Sequence, residues 1–88
     1  MSTLTSCKFT PEAHKDYLEF KEQNPKIAER IGELIKDIRN TPFSGIGKPE
    51  PLKYNLNGCW SRRITQQHRL VYRVSGGVLE IISCKYHY

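Results

Sequence analysis

The chain has no apolar run near the roughly 18–20 residues of a membrane span. Its start, Met1-Ser2-Thr3-Leu4-Thr5-Ser6, lacks the basic opening and apolar stretch of a signal peptide. A cytoplasmic protein without a membrane anchor is the expectation. Cysteine is scarce: Cys7, Cys59 and Cys84 are odd in number, scattered and without paired ligand spacing, which disfavours a disulfide framework or a zinc site. They read as small buried side chains at strand-like positions. No cluster of carboxylates or histidines stands at ligand spacing, so no metal or other cofactor is expected, and His14 and His68 read as isolated surface polar residues. Acidic residues are few as well, 9 against 14 Lys and Arg, giving a formal charge of +5 and a pI near 9.3. That balance favours a polyanionic partner, whether nucleic acid, an acidic protein or an anionic surface, without choosing among them.

What is present fits one small domain spanning 1–88, since 88 residues with 38% hydrophobic content cannot support two cores. Cys7-Lys8-Phe9 reads as a short first strand. Thr10-Pro11 then supplies a capping hydroxyl and a proline suited to the first helical turn, and Ala13, Tyr17 and Phe20 form an inner stripe. Asn24-Pro25 repeats the signal and opens a second helix, in which Ile27, Ile31, Leu34, Ile35 and Ile38 mark a core-facing stripe. Asn40-Thr41-Pro42 ends it, and Ser44 to Pro51, punctuated by glycine and proline, reads as irregular loop. Strand-like runs follow at Leu52–Leu56, Trp60–Thr65, Arg69–Val74 and Val78–Cys84, divided by Asn57-Gly58, Gln66-Gln67 and Ser75-Gly76-Gly77. The expectation is an α+β fold with two N-terminal helices on one face of an antiparallel meander.

Strand parity assigns faces. Trp60, Arg62 and Ile64 alternate with Ser61, Arg63 and Thr65; Leu70, Tyr72 and Val74 alternate with Arg69, Val71 and Arg73. Pairing Arg63 with Arg69, around an odd-numbered loop centred on Gln66, places the two more apolar sets together. A two-residue turn at Gly76-Gly77 pairs Tyr72 with Ile81 and Arg73 with Glu80. The face away from the helices then carries Arg63, Arg69 and Arg73. Opposed cations repel, so either an anionic ligand offsets them or their long side chains splay into water.

Cleavage of RNA by its own 2′-hydroxyl needs a base, positive charge on the phosphate and an acid for the departing 5′-oxygen. Glu50, held between Pro49 and Pro51, is a candidate base, although a solvated loop glutamate fits the same pattern. Arg63 and Arg69 offer planar forks for phosphate oxygens. The closing Lys85-Tyr86-His87-Tyr88 offers an imidazole as acid if the tail folds back over the arginine face, with Tyr86 or Tyr88 to stack on a base; an unremarkable exposed terminus is the alternative. Cys84 has no visible activating partner and reads as strand interior.

Several motifs together carry a resemblance over about Phe9 to Tyr88: Glu33-Leu34-Ile35-Lys36-Asp37 with Arg39-Asn40-Thr41-Pro42-Phe43; Gly47-Lys48-Pro49-Glu50-Pro51-Leu52-Lys53; Trp60-Ser61-Arg62-Arg63-Ile64-Thr65; His68-Arg69-Leu70-Val71-Tyr72; and the closing Lys85 to Tyr88. In these the chain resembles the YoeB (Txe) toxins of the RelE superfamily. The resemblance implies a RelE-like, microbial-ribonuclease-type fold and a ribosome-dependent endoribonuclease, an mRNA interferase that cuts message in the aminoacyl site and so inhibits translation. It implies Glu50 as general base, His87 as general acid, Arg69 as transition-state phosphate ligand and Tyr88 as a positioning and stacking residue, with Lys53, Arg63 and Tyr86 supporting substrate. Its implied partners are the ribosome, aminoacyl-site mRNA and a YefM-like antitoxin whose acidic segment displaces the tail, with a homodimer left open. The chain departs from the family pattern in Met1 to about Leu4, which are extra, and in Gln66-Gln67, where acidic residues are common. The competing class is a non-catalytic module that blocks the ribosome or inhibits DNA gyrase; Glu50 and His87 together argue against it.

Overall fold

Thr10 shows how the sequence begins the fold. Its hydroxyl accepts the backbone N–H of Ala13 at 3.1 Å and donates to the carbonyl of Ile82 at 3.0 Å. One side chain thus caps α1 (Pro11–Gln23) and ties the helix start to the sheet. The computed structural model describes residues 4–87. In chain order it consists of β1 (Ser6–Phe9), α1, α2 (Pro25–Asn40), β2 (Glu50–Pro51), a single 3₁₀ turn (Tyr54–Leu56), β3 (Trp60–Arg63), β4 (Arg69–Ser75) and β5 (Val78–Tyr86).

Asn24 does not cap α2 with its side chain as its position before Pro25 suggested. It is shared by both helices through its backbone: its N–H donates to the carbonyl of Phe20 at 2.7 Å and its carbonyl accepts from Ile27 at 3.0 Å. The stripe on α2 behaves as expected, with Ile31, Leu34 and Ile38 fully buried. They join Ala13 and Phe20 of α1 and Leu70, Tyr72, Leu79, Ile81 and Cys84 of the sheet in the main core.

The sheet runs β1-β5-β4-β3-β2. Both expected hairpins are present in register: Arg63 faces Arg69 across the loop centred on Gln66, and Tyr72 faces Ile81 with Arg73 opposite Glu80. The sheet is mixed, however, because β1 runs parallel to β5. The N–H groups of Thr5 and Thr10 donate to the carbonyls of Gly77 and Ile81 at 2.9 and 3.0 Å, seating β1 along the outer edge of β5 before the chain turns into the helical layer.

Two expectations fail between α2 and β3. Glu50–Pro51, expected as irregular loop, pairs with Trp60 and Ser61 as an edge strand, a position where proline's missing N–H costs no ladder bond. Leu52–Leu56, expected as a strand, forms no strand. Leu52, Tyr54 and Leu56 alternate as a strand would, but the backbone of Tyr54 is left-handed at φ 60° and a 3₁₀ turn follows. Folded this way, Leu52, Leu56 and Cys59 lie over Val71, Ile82 and Tyr86 as a second, smaller core. The face away from the helices is therefore covered at its centre, not open along its length.

Candidate active site

The loop that delivers Glu50 is organised by a buried cation. Arg62 lies at a core position of β3 with its side chain fully buried. Its guanidinium donates to the Asp37 carboxylate at 2.5 Å and to the carbonyls of Thr41, Ser44 and Ile46 at 2.6, 2.9 and 3.1 Å. Its Nε donates to the Tyr72 hydroxyl at 3.2 Å, and that hydroxyl donates to the carbonyl of Pro42 at 2.6 Å. Four of the loop's carbonyls and the Asp37 carboxylate of α2 thus converge on one arginine and the tyrosine beside it. Asp37's carboxyl is held below the usual carboxylate range, first by its hydrogen bond from Arg62. Gly45 allows the close approach: at φ 125°, a Cβ there would fall 2.0 Å from Asp37 Oδ2. The carbonyl of Gly47 then accepts the N–H of Arg63 at 2.7 Å, and three residues later Glu50 enters the sheet.

Register places the site residues relative to one another. Glu50 faces Ser61, which faces Val71; one step along the same face, Arg63 faces Arg69, which faces Tyr86. Directly opposed residues project to the same side. Glu50, Arg63, Arg69 and Tyr86 therefore share the face away from the helices, with Glu50 two strand spacings, about 10 Å, from β4. Glu50, Lys53, Tyr54, Asn55 and Tyr86 line a cleft of about 340 Å³. Glu50, Lys53 and Arg63 are exposed, whereas Arg69 and Tyr86 are half-buried. Tyr86 also packs on the smaller core, so its ring forms a cleft wall as well as an exposed surface. Arg73 is not part of this group. It pairs with Glu80 at 2.5 Å beside a separate depression lined by Lys8, Ser75 and Val78.

As far as His87 the tail does not fold back over the arginine face. It continues β5 to Tyr86, and the ring of His87, the next residue, lies against His68. The exposed ring of His87 rests 5.2 Å from that of His68, which in turn meets Phe20 of α1 edge-on at 5.3 Å. His68 is thus no isolated surface histidine. Burial first, then the charges of His87 and Lys85, push its pKa below the ordinary imidazole value, against an opposing pull from Asp16. Lys85 holds this end of β5 to α1 through Glu19 at 3.1 Å and Asp16 at 3.9 Å. Tyr88 lies outside the described residues. Cys84 is buried with its thiol pushed up to about 12, chiefly by desolvation, the reverse of what a nucleophile requires. Among the described residues no three His, Cys, Asp or Glu side chains gather as metal ligands, and no helix is long and apolar enough to cross a membrane.

The sequence reading gave Arg62, His68 and Tyr54 no role in the site. A legible signal existed only for Arg62, a cation at the parity of core residues Trp60 and Ile64.

Comparison with known proteins gives this geometry its family. The family model for the YoeB-like toxin of bacterial type II toxin–antitoxin systems matches residues 9–88. Toxin YoeB of Escherichia coli (strain K12) is 56% identical over 80 residues, covering 91% of this chain and 95% of the relative. Two solved structures from Staphylococcus aureus superpose closely. The YoeB dimer has a TM-score of 0.90 at 49% identity, covering 99% of this chain and all of the other. The YoeB–YefM complex has a TM-score of 0.87 at 51% identity, covering 97% and 98%. With the family model spanning both helices, all of β2 to β5 and the tail, the chain belongs to the YoeB-like toxins of bacterial type II toxin–antitoxin systems.

Proposed function

We propose that this toxin is a ribosome-dependent endoribonuclease that cuts mRNA in the aminoacyl site. The observation that carries the reading is the register row Arg63–Arg69–Tyr86 on the same face of the sheet as Glu50, with His87 immediately after Tyr86. Glu50 takes the proton of a 2′-hydroxyl, and the 2′-oxygen attacks the adjacent phosphorus. Arg69 binds the phosphate oxygens as they gain charge, with Lys53 and Arg63 in support. The bond from phosphorus to the 5′-oxygen breaks, and His87 gives that oxygen a proton. The products carry a 2′,3′-cyclic phosphate and a 5′-hydroxyl. His87 leans to the helix side of the strand ends while Arg69 lies on the other, so the scissile phosphate sits off the ends of β4 and β5, where both reach it. Tyr86 and Tyr88 position and stack the flanking bases.

The YoeB–YefM complex and the YoeB dimer of the S. aureus relatives support a YefM-like antitoxin as partner and a homodimer as an assembly of this chain. A ribosomal substrate also places the toxin in the cytoplasm. Glu50→Ala, Arg69→Ala and His87→Ala should each lower single-turnover cleavage on programmed ribosomes by a factor on the order of 10² or more, with far-UV circular dichroism unchanged. Stalled ribosomes bearing intact message, mapped by their 5′ ends, would instead identify a blocking protein.

A further inference from the structure

We propose that His68 is the positioning residue for the tail imidazole: a neutral ring, seated on Phe20, against which His87 rests so that the proton of the pair resides on His87. This rests on His87 acting as general acid. Three geometric observations carry it. First, His68 meets two rings at once, Phe20 edge-on at 5.3 Å and His87 at 5.2 Å. Second, His68 is the inner ring and His87 the exposed one. Third, Nδ1 of His68 is buried with no hydrogen-bond partner among the described residues. A protonated Nδ1 there would be a buried N–H donor on a cation with no acceptor, a state that burial strongly disfavours. His68 therefore keeps a single proton on Nε2, and the two rings are not driven apart by like charge. Environments that separate two neighbouring titratable groups in this way assign the acid.

The charged groups around the pair are consistent with this. Asp16 and Glu19 on α1 are both engaged by Lys85 of β5, at 3.9 and 3.1 Å, and Lys85 itself lies 5.1 Å over the Phe20 ring. The cation offsets the pull that Asp16 exerts toward protonating His68, and the His68 pKa falls below the ordinary value, with burial the largest cause. Lowering the pH through that depressed value charges His68, places a second cation against His87 and costs the ring its burial. The tail then loses its seat.

The test is single-turnover cleavage on programmed ribosomes from pH 5.5 to 8.5 by the intact toxin and its His68→Ala, His68→Phe and His87→Ala variants, with imidazole NMR titration of the free proteins. His68→Ala should slow cleavage about 10- to 100-fold at pH 7.5, the scale of a misplaced catalytic group. His68→Phe, which keeps the ring and removes the nitrogen, should stay within about threefold of wild type and hold its rate at acid pH where wild type declines. In the NMR titration of wild type, the His68 ring should take up its proton only below the ordinary imidazole range. A wild-type rate in His68→Ala, or a loss in His68→Phe as large as in His68→Ala, overturns the inference. If His68→Ala fails to fold, the His68→Phe profile decides it. Wild-type cleavage by His87→Ala would instead overturn the general-acid reading beneath it.

Discussion

Tyr54 is 91% exposed, and its backbone is held at φ 60°, where a side chain with a Cβ is disfavoured. A large ring left in water on a strained backbone contributes little to packing, and such departures concentrate at functional sites. Its place in the cleft beside Glu50 and Lys53 would let it stack on a nucleobase if RNA occupies the proposed site. Tyr54→Asn tests this cleanly, because asparagine tolerates the left-handed backbone. Thermal stability should hold or rise, while affinity for ribosome-bound message falls roughly 5- to 150-fold, the span of base–aromatic stacking. Tyr54→Trp should bind as wild type. A drop in melting temperature with unchanged affinity would make the ring structural.

At the scale of elements, the loop from Thr41 to Gly47 has almost no regular structure of its own and takes its shape from Arg62 on β3. Arg62→Ala would leave the part-buried carbonyls of Thr41, Ser44 and Ile46 and the partly exposed Asp37 carboxylate without their donor, so it should cost about 1–3 kcal/mol in denaturant unfolding, the scale of an unmet polar group. The pH sign follows from Asp37, whose folded pKa is depressed. Its contribution is fully present above the unfolded carboxylate value of about 4 and is lost as pH falls through the lower folded value. Asp37→Asn should therefore flatten the decline of stability below about pH 4; an unchanged acid limb would show that other carboxylates set it. These same elements show what sequence could reveal. Alternation fixed the Arg63–Arg69 and Tyr72–Ile81 pairings because a one-residue slip would have turned Leu70 and Ile81 out of the core. Leu52–Leu56 was misread because Leu52, Tyr54 and Leu56 show period-two alternation, while the positive φ of a non-glycine residue leaves no mark in sequence. Arg63 and Arg69 could be gathered from parity and Glu50 from its loop position, whereas Lys53 entered through the resemblance and Tyr86 through the closing tail. The seat of His87 could not, because the His68–Phe20 contact joins the residue just before β4 to α1 across 48 residues of chain.

For the whole molecule, the helices bury one face of the sheet, and the Leu52–Cys59 segment covers the centre of the other. What remains accessible is the end of the sheet where β2, β3, β4 and β5 present Glu50, Arg63, Arg69, Tyr86 and His87, on a chain of net charge +5. Such a surface attracts polyanions at long range, and an acidic antitoxin segment and an RNA substrate would compete for it. An antitoxin that drew Lys85 from Asp16 and Glu19 would loosen the support of His87 without unfolding the core. The central claim, that the tail supplies the proton to the leaving oxygen, is tested most directly by replacing the bridging 5′-oxygen of the scissile phosphate with sulfur. A thiolate departs without protonation, so a general acid becomes dispensable. Single-turnover cleavage of the sulfur substrate on ribosomes should restore His87→Ala to nearly the wild-type rate while leaving Glu50→Ala impaired; equal impairment of His87→Ala on both substrates would contradict the assignment.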